Sequence, residues 1–163
     1  MTAIRPADCR DLRVLIAVGF GSGFAPRAPG TAGSIAAVAV WWMWLAPLPS
    51  ALQIGLLLAA TALAIYCVAG ACRVVGIGDD SGIVVDEWLG MWIALIAAPR
   101  HWLAATIAFL AFRLFDIWKP WPIGWIDRRV GGALGIVLDD IVAGGLAFVV
   151  LQLSIAAWRL GAA

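Results

Sequence analysis

The run ALQIGLLLAATALAIYCVAGAC, residues 51–72, carries no charge and is long enough to cross a bilayer, so it constrains the fold more than any other stretch of the chain. Hydrocarbon offers no water to backbone N–H and C=O groups, and a helix is the way for one such run to satisfy them internally. Four further apolar segments are bounded by breaks: 34–48 before PLPS, 83–98 before PR, 102–118 before KPWP, and 133–158. With 64% hydrophobic and 13% charged residues and a mean hydropathy of +0.99, the composition lies far from that of soluble domains. The expected fold is therefore all-α: a polytopic membrane helix bundle of about five spans, forming one domain over residues 1–163.

Ahead of the first span, LRVLIAVGFGSGF reads as an interfacial helix or a re-entrant turn leading into the glycine-rich loop GFGSGFAPRAPGTAGS, residues 19–34. The N-terminus mixes charges of both signs and lacks a small-residue cleavage site after a short apolar core, so no cleaved signal peptide is expected. Cys9, Cys67 and Cys72 have no metal-ligand spacing and read as small buried hydrophobes. CVAGACR, from Cys67 to Arg73, matches the C-x5-R spacing of cysteine phosphatases. That chemistry needs a phosphate-wrapping loop, whereas this stretch reads as helix.

Alternate loops of a helical bundle fall on alternate faces. The face of the glycine loop then receives nine of the eleven basic residues: Arg5, Arg10, Arg13, Arg27, Arg73, Arg113, Lys119, Arg128 and Arg129. Arg100 and Arg159 fall on the other side, and the positive-inside rule makes the glycine-loop face cytoplasmic. All ten acids share that face. Asp79 and Asp80 are placed to solvate a loop, and Asp127 to pair with Arg128 or Arg129.

Solvation does not explain VVDEWLG and VLDDIVAG, where Asp86–Glu87 and Asp139–Asp140 stand as adjacent carboxylates at the start of apolar helical runs. A carboxylate in hydrocarbon costs a few kcal/mol, so such residues face a bundle interior and serve a function. Gly90 follows Asp86 by four residues and Gly144 follows Asp140 by four, which puts a small residue one turn deeper on each acid's own face. Close helix approach at these glycines would gather both pairs in one crevice. Carboxylates held that closely repel unless a cation sits among them, and oxygen-only ligation suits a hard ion such as Mg²⁺.

In FRLFDIWKPWPIGWIDRR, Arg113, Asp116 and Lys119 lie near the cytoplasmic end of a span. Arg113 and Asp116 can form an i,i+3 ion pair, and the cations can equally grip a phosphate monoester beside a metal. Trp118, Trp121 and Trp125 read as interfacial belt residues. The glycine loop fits a phosphate cradle, with Gly30 allowing close backbone approach and Thr31 and Ser34 placed to cap the following helix.

Together GFGSGFAPRAPGTAGS, GIVVDEWLGMWIAL, FRLFDIWKPWPI and GGALGIVLDDIVAG resemble the phosphatidylglycerophosphatase A family, in order, from about Leu15 to Gly144. The resemblance implies a Mg²⁺-dependent lipid phosphatase of the bacterial inner membrane, acting at the cytoplasmic face on an anionic phospholipid. Its reaction is the conversion of phosphatidylglycerophosphate to phosphatidylglycerol, a precursor of cardiolipin, and phosphate. Residue by residue, Asp86 and Glu87 match its D-E pair, Asp139 and Asp140 its D-D pair, and Arg113, Asp116 and Lys119 its R-x-x-D-x-W-K-P run. The expected roles are metal binding and catalysis for Asp86, Glu87, Asp139 and Asp140, catalysis for Asp116, and phosphate binding for Arg113, Lys119, Gly30, Thr31 and Ser34.

Other classes remain open at this point. An ion-coupled transporter also uses buried carboxylates, but near the midplane and shared by repeated halves, and this chain shows no repeat. A non-catalytic assembly protein would need neither the acids nor the matched cations, and nothing suggests a nucleic-acid partner. The oligomeric state is not legible. The sole histidine, His101, falls on the face opposite the acids.

Overall fold

The computed structural model describes residues 4–76, 78 and 80–161; Asp79 lies outside them. All regular structure among the described residues is helical. A short helix α1 (Leu12–Ala17) runs into a tight 3-10 turn over Gly19–Phe24, with Phe20 and Gly21 at φ 53° and 101°. Helix α2 (Pro29–Val40) continues through a π-helical turn, Trp41–Leu45. Then come α3 (Ser50–Val75), α4 (Val85–Ala94), α5 (Trp102–Trp118), α6 (Ile123–Arg129) and α7 (Gly132–Gly161).

The spacing predicts α5 as it is found, while the other boundaries move for identifiable reasons. Pro29, whose fixed φ and missing N–H suit the first helical position, starts α2 well before residue 34. Thr31 and Ser34 consequently lie inside α2 and do not cap it. The cap position belongs to Ala28, at φ 49°, with no side-chain cap bond. Ser34 Oγ instead donates to the Gly30 carbonyl one turn back, at 2.8 Å. Helix α4 ends at Ala94, and Ala97, at φ 55°, turns the chain before Pro99. The short helix α6, after Pro122, has no apolar period to announce it. The C-x5-R coincidence dissolves, because Cys67 and Arg73 both lie within α3.

Among the described residues, two helices, α3 and α7, are long and apolar enough to cross a membrane. The remaining helices are shorter than a straight span requires, α5 at 17 residues being the longest of them.

Packing centres on α7, which lies against α4 and α5. Phe112, Met91, Leu95, Ala108, Ala143, Ala147 and Leu151 fill one buried cluster. A second cluster joins Val14, Val18, Val68, Leu89 and Val137, and so ties the N-terminal segment to α3, α4 and α7. The expected glycine contact forms: a Cβ on Gly144 would collide with the Gly90 backbone, and one on Gly90 would strike the Asp140 carbonyl and the Phe112 ring. Only glycine at both positions lets the helices meet this closely.

At the end of the bundle away from the acids, Gln53 is buried and ties three segments together. Its Nε2 donates to the carbonyls of Leu45 and Leu48 at 3.1 and 3.0 Å, and its Oε1 accepts from the Ala97 N–H at 3.3 Å. His101 caps the first turn of α5 there, its Nδ1 accepting from the Leu103 N–H at 3.2 Å.

Candidate active site

At the opposite end lies a cavity of about 520 Å³, walled by the first turns of α2 and α4, the loop residues before α4, the last two turns of α5, α6, and the first three turns of α7. Among the described residues, seven acids line it: Asp80, Asp86, Glu87, Asp116, Asp127, Asp139 and Asp140. So do Arg113 and Lys119. The division of charge read along the sequence thus becomes a convergence in space.

Asp86, Glu87 and Asp140 each present a carboxylate oxygen within 4.8 Å of the others. The Gly90–Gly144 crossing explains this, because it pins α4 to α7 one turn beyond Asp86 and Asp140. Three buried or half-buried carboxylates repel in a low-dielectric setting. Glu87 Oε2, moreover, is buried without a hydrogen-bond partner. A hard divalent cation answers both features, so this donor set fits Mg²⁺.

Asp139 is held differently from the expectation. Its Oδ2 accepts from Lys119 Nζ at 2.8 Å, its Oδ1 accepts from the Asp140 N–H at 3.1 Å, and it stands outside the group of three. About 100° around α7 from Asp140, Asp139 is turned to Lys119 and away from the α4 acids. Asp127, placed by the sequence with Arg128 or Arg129, instead accepts from Lys119 Nζ at 2.6 Å. The ammonium therefore bridges α6 and α7. Burial alone would lower the Lys119 pKa, but its hydrogen bonds to Asp127 and Asp139 outweigh that and raise it above the ordinary lysine value. Lys119 itself occupies the left-handed region at φ 47°, closing α5 with its N–H on the Phe115 carbonyl. A non-glycine residue in that conformation is uncommon and often marks a functional site.

Arg113 and Asp116 form the expected ion pair, Nη1 to Oδ2 at 2.7 Å, with Glu87 Oε1 4.0 Å from the same nitrogen. Arg113 Nε is buried with no hydrogen-bond partner, which leaves donor capacity beside the carboxylates. Asp80, read as a loop-solvating residue, is buried, and its Oδ1 accepts from the Gly82 N–H at 2.8 Å.

The glycine loop serves packing around this site. Gly23 abuts the Gly82 carbonyl, Gly33 the Val84 side chain, and Gly30 the Glu87 carboxylate and Arg113 guanidinium. Of the three loop residues expected at the phosphate, Gly30 lines the cavity, whereas Thr31 and Ser34 are not among its walls. Asp127 was within reach of sequence reasoning, since it follows Lys119 by eight residues in an interrupted helix. What hid it was the turn at Lys119 to Pro122, which swings α6 back over the ammonium.

Buried carboxylates and two cations share the walls of one cavity, and comparison with known proteins gives the class: a phosphatase. The chain belongs to the phosphatidylglycerophosphatase A family, whose profile matches residues 15–155. It is 43% identical over 148 residues to phosphatidylglycerophosphatase A of Escherichia coli strain K12, covering 90% of this chain and 86% of that one. The Haemophilus influenzae phosphatidylglycerophosphatase A is 38% identical over 151 residues, or 90% of each chain. A Bacteroides thetaiotaomicron protein whose name proposes a phosphatidylinositol-3-phosphatase is 37% identical over 156 residues, 92% of this chain and 96% of that one. No solved structure matches.

Proposed function

We propose that the chain hydrolyses the terminal phosphate monoester of phosphatidylglycerophosphate, releasing phosphatidylglycerol and inorganic phosphate, with Mg²⁺ held by Asp86, Glu87 and Asp140. The observation that carries this reading is the gathering of those three carboxylates beside Arg113. A metal bound there would stabilise the charge of the transferring phosphoryl group and acidify the attacking water. Arg113, fixed by Asp116, would bind non-bridging phosphate oxygens through its remaining donors. Lys119 would supply a second positive charge, aimed by Asp127 and Asp139. Helix α2 starts at the cavity wall, and the first N–H groups of a helix lack intrahelical partners, which favours an anion there. Asp139, in this reading, orients Lys119 and is not a metal ligand.

The setting we propose is the bacterial inner membrane, with the cavity facing the cytoplasm. Only 28% of the most apolar window of α3 is buried, and Leu58 and Leu63 on it are exposed, unlike the core helix of a soluble protein. Residues 29–45, 85–98 and 102–118 would complete about five passes by tilting or by thinning the bilayer. The face bearing the cavity is the one that carries most of the arginine and lysine.

Phosphate release from phosphatidylglycerophosphate in detergent micelles tests the reading, using the purified protein with Mg²⁺ or with EDTA. Release that requires Mg²⁺ and is lost in Asp86→Asn and Asp140→Asn is the expected result. No release by folded protein, or equal release in EDTA, overturns it. Faster release from phosphatidylinositol 3-phosphate would reassign the head group while leaving the chemistry in place.

A further inference from the structure

Resting on the reading of the cavity as a lipid phosphate-ester site, we propose that one exposed face of α5, formed by Leu110, Leu114 and Ile117 and ended by Trp118, seats the acyl chain of the substrate.

Leu110 precedes Arg113 by three residues and Ile117 follows it by four, so on a helix both flank the guanidinium on its own side. Leu110, Leu114, Ile117 and Trp118 are each more than half exposed. The opposite side of α5, with Ala104, Ala108, Ala111 and Phe112, is buried against the rest of the bundle. Moving around the helix, one therefore passes from the packed face to Arg113 and Asp116 at the cavity, and then directly to the apolar ridge. Leu103 continues that ridge away from the site, and the rise from Leu103 to Ile117 is about 21 Å, more than the roughly 15 Å of one leaflet's hydrocarbon.

Exposed aliphatic side chains elsewhere lack this connection or stand singly, as Leu134 on α7 and Ile35 on α2 do on helices that also line the cavity. Those of α3, such as Leu56 and Leu58, stand on a helix that gives no side chain to the cavity, and Val149 and Leu153 lie more than two turns beyond Asp140 on α7. Among the described residues, α5 alone carries both cavity-lining Arg113 and a run of exposed aliphatic residues flanking it. A phosphate monoester attached to a fatty chain has the complementary form: an anionic head for Arg113 and Lys119, and an apolar tail for the ridge beside them. The bound lipid would thus reach the site laterally along α5, with its tail still in the bilayer.

The test separates this seat from general membrane contact. The Leu110→Ser/Leu114→Ser double variant and a Leu58→Ser control are assayed on a long-chain diacyl phosphatidylglycerophosphate and on a short-chain, water-soluble analogue. The double variant is expected to raise KM for the long-chain substrate about tenfold or more with kcat kept, which is the scale of two leucine contacts. Its short-chain kinetics, and both activities of Leu58→Ser, should match the wild type. Equal KM changes in Leu58→Ser, or equal changes on the short-chain substrate, would overturn the proposal. A photo-crosslinking amino acid at position 114 or 58, in the inactive Asp140→Asn protein, gives a readout independent of turnover. A phosphomonoester lipid with a clickable chain should label position 114 and not 58, and the reverse or equal labelling sinks the idea. If wild-type protein releases phosphate from neither substrate, the proposed function fails, whatever the labelling shows.

Discussion

Gly90 and Gly144 meet backbone to backbone, each four residues along its helix from an acid of the carboxylate group. The contact sets the distance between Asp86 and Asp140, so the geometry of the site is decided by two residues that are not among the cavity walls.

A methyl group at either position has nowhere to go, since its nearest neighbours are backbone atoms or the Phe112 ring. Gly144→Ala should cost about 1–3 kcal/mol, the usual scale of overpacking, and should lower phosphate release by more than tenfold by parting the two acids. Thermal unfolding in detergent and the release assay measure the two effects separately. A fully active, equally stable variant would show that the helices tolerate separation.

Metal binding should be visible without turnover. A ligand bound by the native state alone raises stability by RT ln(1 + [L]/Kd), about 2.7 kcal/mol at a hundredfold excess over Kd. Mg²⁺ is therefore expected to raise the wild-type melting temperature by several degrees and EDTA to reverse it. Asp86→Asn, Glu87→Gln and Asp140→Asn should abolish the response, whereas Asp139→Asn, bonded to Lys119, should keep most of it. Loss of the shift in Asp139→Asn alone would return that residue to the metal.

Gly30 abuts Glu87 so closely that an alanine methyl would displace the carboxylate. Gly30→Ala should weaken Mg²⁺ binding and reduce activity at least tenfold with little change in unfolding temperature of the metal-free protein. Isothermal titration with Mg²⁺ is the direct check, and unchanged affinity would free Glu87 of a ligand role.

Lys119 neutralises two carboxylates, so removing it leaves both without their cation. Lys119→Ala should lower activity by about a hundredfold, as loss of an anion-binding charge commonly does. Asp127→Asn, which keeps the Asp139 bond, should act mainly on KM and by less than tenfold. An effect of Asp127→Asn as large as that of Lys119→Ala would mean that Asp127 itself takes part in the chemistry.

Gln53 provides a contrast far from the cavity. Gln53→Leu strands two carbonyls and one N–H, so it should destabilise the protein by about 1–3 kcal/mol while the kcat of the remaining folded protein is unchanged. A fall in kcat would instead reveal communication between the two ends of the bundle.

The sequence alone determined the helical class, the extent of α5, and the acid pairs that meet at the cavity, because apolar periodicity and carboxylates inside apolar runs are local facts that burial physics reads directly. It also pointed to the crossing, since a glycine four residues beyond an acid needs no partner to be recognised. Tertiary structure decided the rest. Which member of the Asp139–Asp140 pair faces α4 depends on the rotation of α7, and neighbouring helical residues point about 100° apart. The partner of Lys119 depended on a turn that folds α6 over it, a contact no linear spacing encodes. Likewise, the glycine loop looked like a cradle for a ligand, while most of its glycines prove to make room for the Gly82–Val84 segment and Glu87. Local chemistry is written in residue order, but the pairing of charges is settled only when the helices choose their rotations and neighbours.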